Sequence, residues 1–461
     1  MVRRVRQLVP RPNEVRDLLR LAVPVIVVQI GMMAMGVADT VMVGHVSADA
    51  LAAVALGNLY FFAAAVFGMG VLMALDPLVA QAVGAGDREA VARGVQRGLL
   101  LALALCLPGA LLLLPAEAVL GLLHQPAEIV PTAGAFARIS TPGLPGFLLF
   151  VVLRQSLQAL NRMRPIVVTI VVANLANIGL NWALIYGHLG FPAMGAIGSA
   201  WATVFSRTLM ALLLMALGWR DLRPLIRPLR PAVFALAPLG RMLRLGAPIG
   251  IQYQLEYGVF GVVGLLMGVV GPTAMAAHQV ALNIASFTFM VPLGLSAAAA
   301  VLVGQAVGRD DPTSARRAAR AAIVCGMGFM SCTAVALVTL PRFFAGLYTS
   351  ADDVIAIAAV LLPLAGVFQV FDGLQVVSIG ILRGVGDTRT PMIVNVLGFW
   401  LLGLPVSYYL GIHAGWGPAG LWWGLVLGLI AVGIFLLVRV RARLTGTLAR
   451  IMIDDRHAIP Q

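Results

Sequence analysis

Two acidic side chains, Glu256 and Asp372, lie deep in long apolar stretches of this sequence. A carboxylate is costly to place in lipid, so such a residue predicts a functional site. The second half of the chain has no arginine at a similar depth. Without a counter-cation the two carboxylates cannot both stay ionised, and they must bind a cation or take up a proton. We therefore predict that this pair binds a coupling ion, with sodium as the one metal to consider.

A third acid, Asp39, lies in the first apolar stretch, and a run of asparagines lies in the fifth. The asparagines are spaced at i, i+3 and i+7, so they share one helix face. With Asp39, and more weakly Thr203, they would offer the oxygen ligands that a hard cation such as sodium prefers. Hydrogen bonding between helices is an alternative role that stays open. The three asparagines are Asn174, Asn177 and Asn181.

Other polar residues of the apolar stretches receive weaker predictions. Two arginines, Arg154 and Arg207, are expected to extend their long side chains toward the cytoplasmic surface. Four residues near the acids are expected to line a central cleft. These are Gln254, Tyr257, Gln369 and Gln375.

The composition requires lipid around most of the chain. It has 461 residues, of which 60% are hydrophobic and 11% charged, and its mean hydropathy is +0.96. A soluble domain cannot bury that much apolar surface, and about 20 apolar residues suffice for each membrane span. We predict an all-α integral membrane protein with twelve spans. They lie at 16–42, 52–82, 92–114, 128–160, 165–187, 194–217, 243–270, 275–305, 316–340, 354–383, 391–411 and 417–438.

The basic residues predict the orientation of these spans. The net charge is +13, every basic residue is arginine, and 28 of the 32 fall in the tails and alternate loops. This is the distribution of cytoplasmic loops in membrane proteins, so both termini are predicted to be cytoplasmic. The same placement argues against nucleic-acid binding, because the arginines follow the spans and form no separate basic surface.

An internal repeat divides the chain. Residues 18–24 resemble 242–248, and residues 78–84 resemble 302–308, both at an offset of 224. Each repeat holds an even number of spans, so both halves enter the membrane from the same side. They are therefore expected to be parallel repeats that enclose a central cleft. The predicted regions are a six-helix bundle over 1–218, a cytoplasmic linker over 219–240, a second six-helix bundle over 241–440 and a cytoplasmic tail over 441–461.

Signatures of enzymes and of bound cofactors are missing from the sequence. It has no GxxxxGK[ST] loop for ATP, no HExxH motif and no GxSxG motif. The three cysteines have no metal-binding spacing. We therefore expect no enzyme activity and no cofactor, and uphill transport would draw on an ion gradient.

Four short motifs stand out in the sequence, namely VADTVMVG at 37–44, LE at 255–256, AAHQVALN at 276–283 and LRGVGDTR at 382–389. In combination they resemble the multidrug and toxic compound extrusion family, in particular its NorM-type branch. The resemblance covers nearly the whole chain, and it implies two six-helix bundles that export cationic amphipathic drugs against sodium or proton entry. In that branch the residues matching Glu256 and Asp372 belong to the cation-coupling site, and the match to Asp39 is functionally important.

These observations together predict a secondary multidrug antiporter that works by a rocking of the two bundles. It is expected to be a monomer in the inner (plasma) membrane, with lipid and small cationic drugs as its partners. A flippase for lipid-linked oligosaccharides, from the same superfamily, is one alternative, and an ion channel is another. Carboxylates serve sodium and protons equally well, so the choice of coupling ion stays open.

Overall fold

The computed structural model describes residues 10–123 and 125–454, and in this part of the chain every regular element is helical. The first half of the chain contains ten α-helices, of which α2 and α3 follow each other as one long apolar segment. They are α1 (Pro12–Gly44), α2 (Ala48–Leu72), α3 (Leu75–Gly84), α4 (Arg88–Leu113), α5 (Ala116–Leu122), α6 (Val130–Ser140), α7 (Gly143–Ala159), α8 (Met163–Tyr186), α9 (Gly195–Leu217) and α10 (Trp219–Ile226).

The second half begins after a short 3₁₀ turn, Pro231–Phe234. Its penultimate span is irregular, because two π-helical segments, Val396–Gly403 and Tyr409–His413, interrupt it. The helices are α11 (Leu236–Val270), α12 (Pro272–Gly308), α13 (Pro312–Thr339), α14 (Pro341–Gly346), α15 (Asp352–Gly384), α16 (Arg389–Asn395), α17 (Leu404–Tyr408) and α18 (Gly417–Thr445).

Membrane-spanning segments account for most of these helices. Eleven segments are long and apolar enough to cross a bilayer within the described residues, and the pair α6 and α7, bent by 51°, makes a twelfth if it counts as one span. The break follows from sequence, because Pro142 and Gly143 stand where the helix turns. Each predicted span therefore has a helical counterpart, and the prediction of an all-α membrane protein is confirmed.

The chain forms two compact units. Unit N contains Val27–Gly250 together with 452–454, and unit C contains 10–26 together with Ile251–Ile451. Helices α1 and α11 therefore each contribute to both units. The predicted bundles, 1–218 and 241–440, describe the sequence repeat and stay a prediction, because the compact units divide the chain at other residues.

Equivalent turns in the two halves agree with the repeat. The Asp87 carboxylate caps the start of α4 by accepting a hydrogen bond from the Ala90 amide at 2.9 Å. Asp311, which lies 224 positions later, caps α13 by accepting from the Ser314 amide at 3.0 Å. An aspartate at this position satisfies a free amide of the first helical turn. The same local chemistry therefore starts both helices.

Close helix packing is repeated at the same offset. In unit N, a Cβ on Gly70 would lie 2.6 Å from the Gly250 Cα, so only glycine allows α2 and the start of α11 to approach so closely. In unit C, Gly294 of α12 stands against Ile26 of α1 in the same way. Both partners in unit C lie 224 positions from their counterparts in unit N. The repeat therefore extends from sequence to side-chain packing.

The linker and the chain end pack on α4 within unit N. The Gln96 amide donates to the carbonyls of Leu225, at 2.8 Å, and Pro228, at 3.0 Å. The Asp454 carboxylate pairs with Arg97 at 2.6 Å and with Arg93 at 2.9 Å. The predicted linker over 219–240 is thus a packed segment with defined hydrogen bonds.

Candidate functional site

The first group of predicted site residues surrounds Asp39 in unit N. Asp39 is 2% exposed, and its Oδ1 accepts a hydrogen bond from the Asn181 side-chain amide at 2.6 Å. The Thr203 hydroxyl donates to its Oδ2 at 3.0 Å, and Asn181 also donates to the Asn177 Oδ1 at 3.2 Å. Helices α1, α8 and α9 therefore bring these four side chains into one buried network. Both carboxylate oxygens accept a hydrogen bond, which is the arrangement that stabilises an ionised carboxylate.

Asn174 does not belong to this network. Its side-chain amide donates to the Gly31 carbonyl at 3.0 Å and to the Ile170 carbonyl at 2.8 Å. Asn174 therefore joins α8 to α1, which is the interhelical role that the sequence left open, and its role as an oxygen ligand beside Asp39 stays a prediction. The spacing placed all three on one face, but that face meets α1 over about two turns, so its ends contact different residues.

Two arginines predicted to extend toward the cytoplasmic surface are instead buried. Arg154 and Arg207 are each 6% exposed. Arg154 donates from Nη1 to the Gln29 Oε1 at 2.9 Å, and the Arg207 guanidinium lies over the Phe61 ring. Gln29 and the Phe61 ring therefore provide these arginines with partners inside the protein, in place of the water at the membrane surface.

The second group of predicted site residues lies in unit C. Glu256 on α11 and Asp372 on α15 are each partly exposed and close enough to repel one another electrostatically. In the part of the chain that the structure describes, no arginine forms an ion pair with either. The pair therefore has no internal counter-cation among the described residues, as the sequence predicted.

Amide side chains complete the surroundings of Glu256. Gln375, one turn from Asp372 on α15, donates to the Glu256 Oε1 at 3.1 Å, and Gln252 donates to the same carboxylate. The Gln375 Oε1 is buried without a hydrogen-bond partner among the described residues. Within those residues, no group of three or more histidine, cysteine and acidic side chains is arranged so that it could hold a metal ion. Two carboxylates with amide oxygens suit sodium or a proton better than a transition metal.

Of the four residues predicted to line a cleft, Gln369 is placed differently. It is fully buried, and it donates to the Thr288 hydroxyl at 2.6 Å while accepting from the Thr333 hydroxyl at 3.0 Å. It therefore joins α15 to α12 and α13, and its place in a cleft stays a prediction. Gln375 is also buried, beside Glu256, whereas Gln254 and Tyr257 are partly exposed.

Sequence reasoning missed two neighbours of Glu256. Gln252 lies one turn before it on α11, a spacing that could have identified it. Trp400 donates from its indole nitrogen to the Leu255 carbonyl at 3.2 Å. Trp400 lies in the first π-helical segment, and such segments are frequent at functional sites. No sequence signal predicts a π-helix at this position.

The family of the chain follows from comparison with known proteins. The model of the MatE family matches residues 24–183 and 248–409. The two matched segments begin 224 positions apart, which is the offset of the sequence repeat. The family model therefore matches once in each half.

Individual relatives and solved structures agree with this match. Multidrug resistance protein NorM of Burkholderia vietnamiensis is 37% identical over 441 residues, covering 94% of this chain and 95% of that protein. Multidrug resistance protein MdtK of Edwardsiella ictaluri is 36% identical, with 93% and 95% covered. The eukaryotic MATE transporter AtDTX14 is 25% identical, with a TM-score of 0.86 and 93% and 96% covered. The chain belongs to the MatE family, the multidrug and toxic compound extrusion family that its motifs resemble.

Proposed function

We propose that this chain is a secondary active antiporter that exports cationic amphipathic drugs in exchange for sodium ions or protons. The observation that carries the proposal is the Glu256 and Asp372 pair, which has no internal counter-cation within the described residues. The names of the relatives support drug export, since NorM and MdtK are both called multidrug resistance proteins.

The chemistry of the cycle rests on charge. When both carboxylates are ionised, their repulsion favours any cation that can enter between them. A drug cation and the coupling ion satisfy the same two charges, so the binding of one favours the release of the other. Gln375 holds Glu256 in place during this exchange. Alternating access of the site to the two sides of the membrane then converts ion entry into drug export.

Asp39 is proposed as a further coupling residue. Its network leaves the Asn181 Oδ1 buried without a hydrogen-bond partner among the described residues. An amide oxygen beside a carboxylate is a ligand set for sodium, and a protonated carboxyl group could donate to it instead. The asparagine network thus supports either coupling ion.

The proposed setting is the inner membrane of a bacterial cell, with a monomer in lipid and both termini in the cytoplasm. The bacterial relatives named NorM and MdtK support this location. The arginine-rich loops support the orientation, because basic loops remain in the cytoplasm.

Ethidium efflux from cells that express the protein tests the proposal. Glu256→Gln and Asp372→Asn should each lower the rate at least tenfold, because an amide removes the charge and keeps the shape. Two exposed acids provide matched controls, Glu128→Gln and Asp353→Asn, which should keep the rate within twofold. Unchanged efflux by the first two variants at normal expression would refute the role of the pair.

Proteoliposomes distinguish the coupling ion. Drug-triggered ion release should depend on sodium at fixed pH, or on pH at fixed sodium, and the arm that responds identifies the ion. Steady current through a planar bilayer at fixed potential would indicate a channel instead. Movement of a lipid-linked oligosaccharide without drug transport would indicate a flippase.

A further inference from the structure

Arg207 occupies an unusual place in unit N. It lies on α9 inside a predicted membrane span, where a charged side chain is costly. Its guanidinium carbon lies 3.8 Å from the centre of the Phe61 ring and 5.9 Å from the centres of the Phe62 and Phe147 rings. The three rings also contact one another edge to face, at 5.9 to 6.5 Å between centres. An aromatic cluster therefore holds a buried cation by cation–π attraction.

A buried acid, Asp39, lies in the surroundings of Arg207. Arg207 lies one turn after Thr203 on α9, and the Thr203 hydroxyl donates to Asp39. The two charges are close enough to attract each other through space, although no direct ion pair joins them, and no other charged group acts on the Asp39 carboxylate among the described residues. Helix α8 presents only the uncharged Asn177 and Asn181 to it. The Arg207 Nη1 has no hydrogen-bond partner in the described part of the chain, so it is free to meet a new acceptor.

The internal repeat shows that the two charges occur together. At the offset of 224 for the first span, Asp39 corresponds to Val263. In the sixth span, residues 195–198 resemble 417–420 at an offset of 222, and at that offset Arg207 corresponds to Leu429. Both counterparts are apolar and fully buried. One half of the chain therefore has both charges and the other has neither, as expected when each charge stabilises the other.

We propose that Arg207 is the built-in counter-cation of Asp39, held in position by the ring of Phe61. It balances the ionised carboxylate whenever no external cation is bound there. An incoming ion at Asp39 must therefore compete with Arg207, and the aromatic cluster holds the guanidinium in place during that exchange. This inference rests on the proposed function in one respect. It makes Arg207 a positioning residue for Asp39, and Asp39 is itself one of the proposed coupling residues.

A double-mutant cycle in thermal stability tests the pairing. The purified full chain is heated in detergent at pH 7 without sodium, and the fraction that stays monodisperse is measured for Asp39→Asn, Arg207→Met and the double variant. If the charges pair, Arg207→Met should lower the midpoint by several degrees, and the double variant should regain at least half of that loss. Simple packing of Arg207 on Phe61 predicts additive losses, and additivity would overturn the proposal.

Arg154→Met is the matched control, because Arg154 is equally buried in a span but donates to Gln29. Its loss should add to that of Asp39→Asn. If Arg207→Met does not fold, the double variant decides. A folded double variant supports the pairing, and a double variant that also fails to fold overturns it.

Binding of tetraphenylphosphonium gives a second readout. Arg207→Met should bind this organic cation about tenfold more tightly than the unmodified protein, and the gain should vanish in the double variant. No gain, or a gain that persists without Asp39, would overturn the proposal. The stability cycle needs no transport, so it can fail or succeed independently of the efflux test on Glu256 and Asp372.

Discussion

The charge of a carboxylate within a membrane span must be balanced, and the two units do this in different ways. Asp39 is almost fully buried, both its oxygens accept hydrogen bonds, and Arg207 supplies a positive charge. Glu256 and Asp372 are partly exposed, repel each other and have no positive partner among the described residues. A buried charge must be balanced from within, whereas a partly exposed pair can be balanced by a mobile ion.

This difference suggests a division of labour between two homologous scaffolds. The repeat preserves helix caps and glycine contacts at an offset of 224, but it preserves none of the three acids within the spans, Asp39, Glu256 and Asp372. If the proposed roles hold, the pair in unit C can exchange ions because no internal cation balances it among the described residues. In unit N, an ion that binds at Asp39 would have to compete with Arg207.

The largest expected effect comes from giving unit C the cation that unit N already has. Gln375→Arg places a guanidinium beside Glu256, because the Gln375 amide already lies 3.1 Å from that carboxylate. The fixed charge should occupy the pair and lower ethidium efflux at least tenfold. Gln375→Met, which has no charge, should retain more activity than the arginine variant. Equal rates for the two variants would contradict the view that an unbalanced pair is essential.

A smaller loss is expected from opening the network of unit N. Asn181→Leu removes the donor 2.6 Å from Asp39 and leaves one carboxylate oxygen without that bond. Efflux should fall about threefold to tenfold. Asn174→Leu is the control on the same helix face, and it should reduce thermal stability while keeping efflux within twofold. Similar efflux losses in both variants would show that the asparagines act only by packing.

Two glutamines on α15 are expected to have different roles. Gln369 contributes to stability through hydrogen bonds to neighbouring helices, whereas Gln375 contacts the proposed coupling residue Glu256. Gln369→Leu removes two hydrogen bonds to Thr288 and Thr333, which is worth about 1 kcal/mol each. The thermal midpoint should fall, but the sodium or pH dependence of efflux per folded molecule should not change. A change in the sodium or pH dependence of efflux would indicate that Gln369 acts in the cleft, as the sequence predicted.

The smallest effect concerns a balanced carboxylate outside the membrane. Burial alone would raise the pKa of Asp454, but hydrogen bonds and attraction from Arg97 and Arg93 hold it below the ordinary 3.8. A lowered pKa in the folded state means stability that is present at neutral pH and lost as pH falls below about 4. Because Asp454 is 39% exposed, the contribution should stay below about 1 kcal/mol.

Thermal midpoints of the unmodified protein and Asp454→Asn, measured from pH 7 to pH 3, check this expectation. The unmodified protein should be slightly more stable from pH 7 to about pH 5, and the difference should disappear toward pH 3. A difference that does not depend on pH would show that the carboxylate charge contributes nothing.

The fold was largely predictable because long apolar segments and loop arginines are strong local signals. Each of the twelve predicted spans has a helical counterpart, and the offset of 224 appears again in the caps Asp87 and Asp311. The π-helical segments were not predictable, because they depend on packing and leave no mark in hydropathy. The break between α6 and α7 was also missed, although Pro142 and Gly143 lie at it.

The grouping within each site was predictable only in part. Helix periodicity brought Asn177 and Asn181 to Asp39 correctly, but it could not show that Asn174 meets Gly31. Arg207 was expected to extend toward the cytoplasmic surface because long charged side chains usually reach water. That reasoning did not take account of the Phe61 ring, over which the guanidinium lies. These omissions have one cause. Residue spacing predicts which side chains share a face of one helix, but a site is formed by side chains from several helices, whose contacts the spacing does not give.

The division of α1 and α11 between the units has a consequence for biosynthesis. Unit N needs Gly250, whose backbone packs against Gly70, so a nascent chain that ends before α11 lacks part of that unit. Ile26 and its partner Gly294 in unit C lie in different halves of the chain, so Ile26 is synthesised well before Gly294. Neither half of the sequence therefore contains a complete compact unit, and each unit is completed only after both halves have been synthesised.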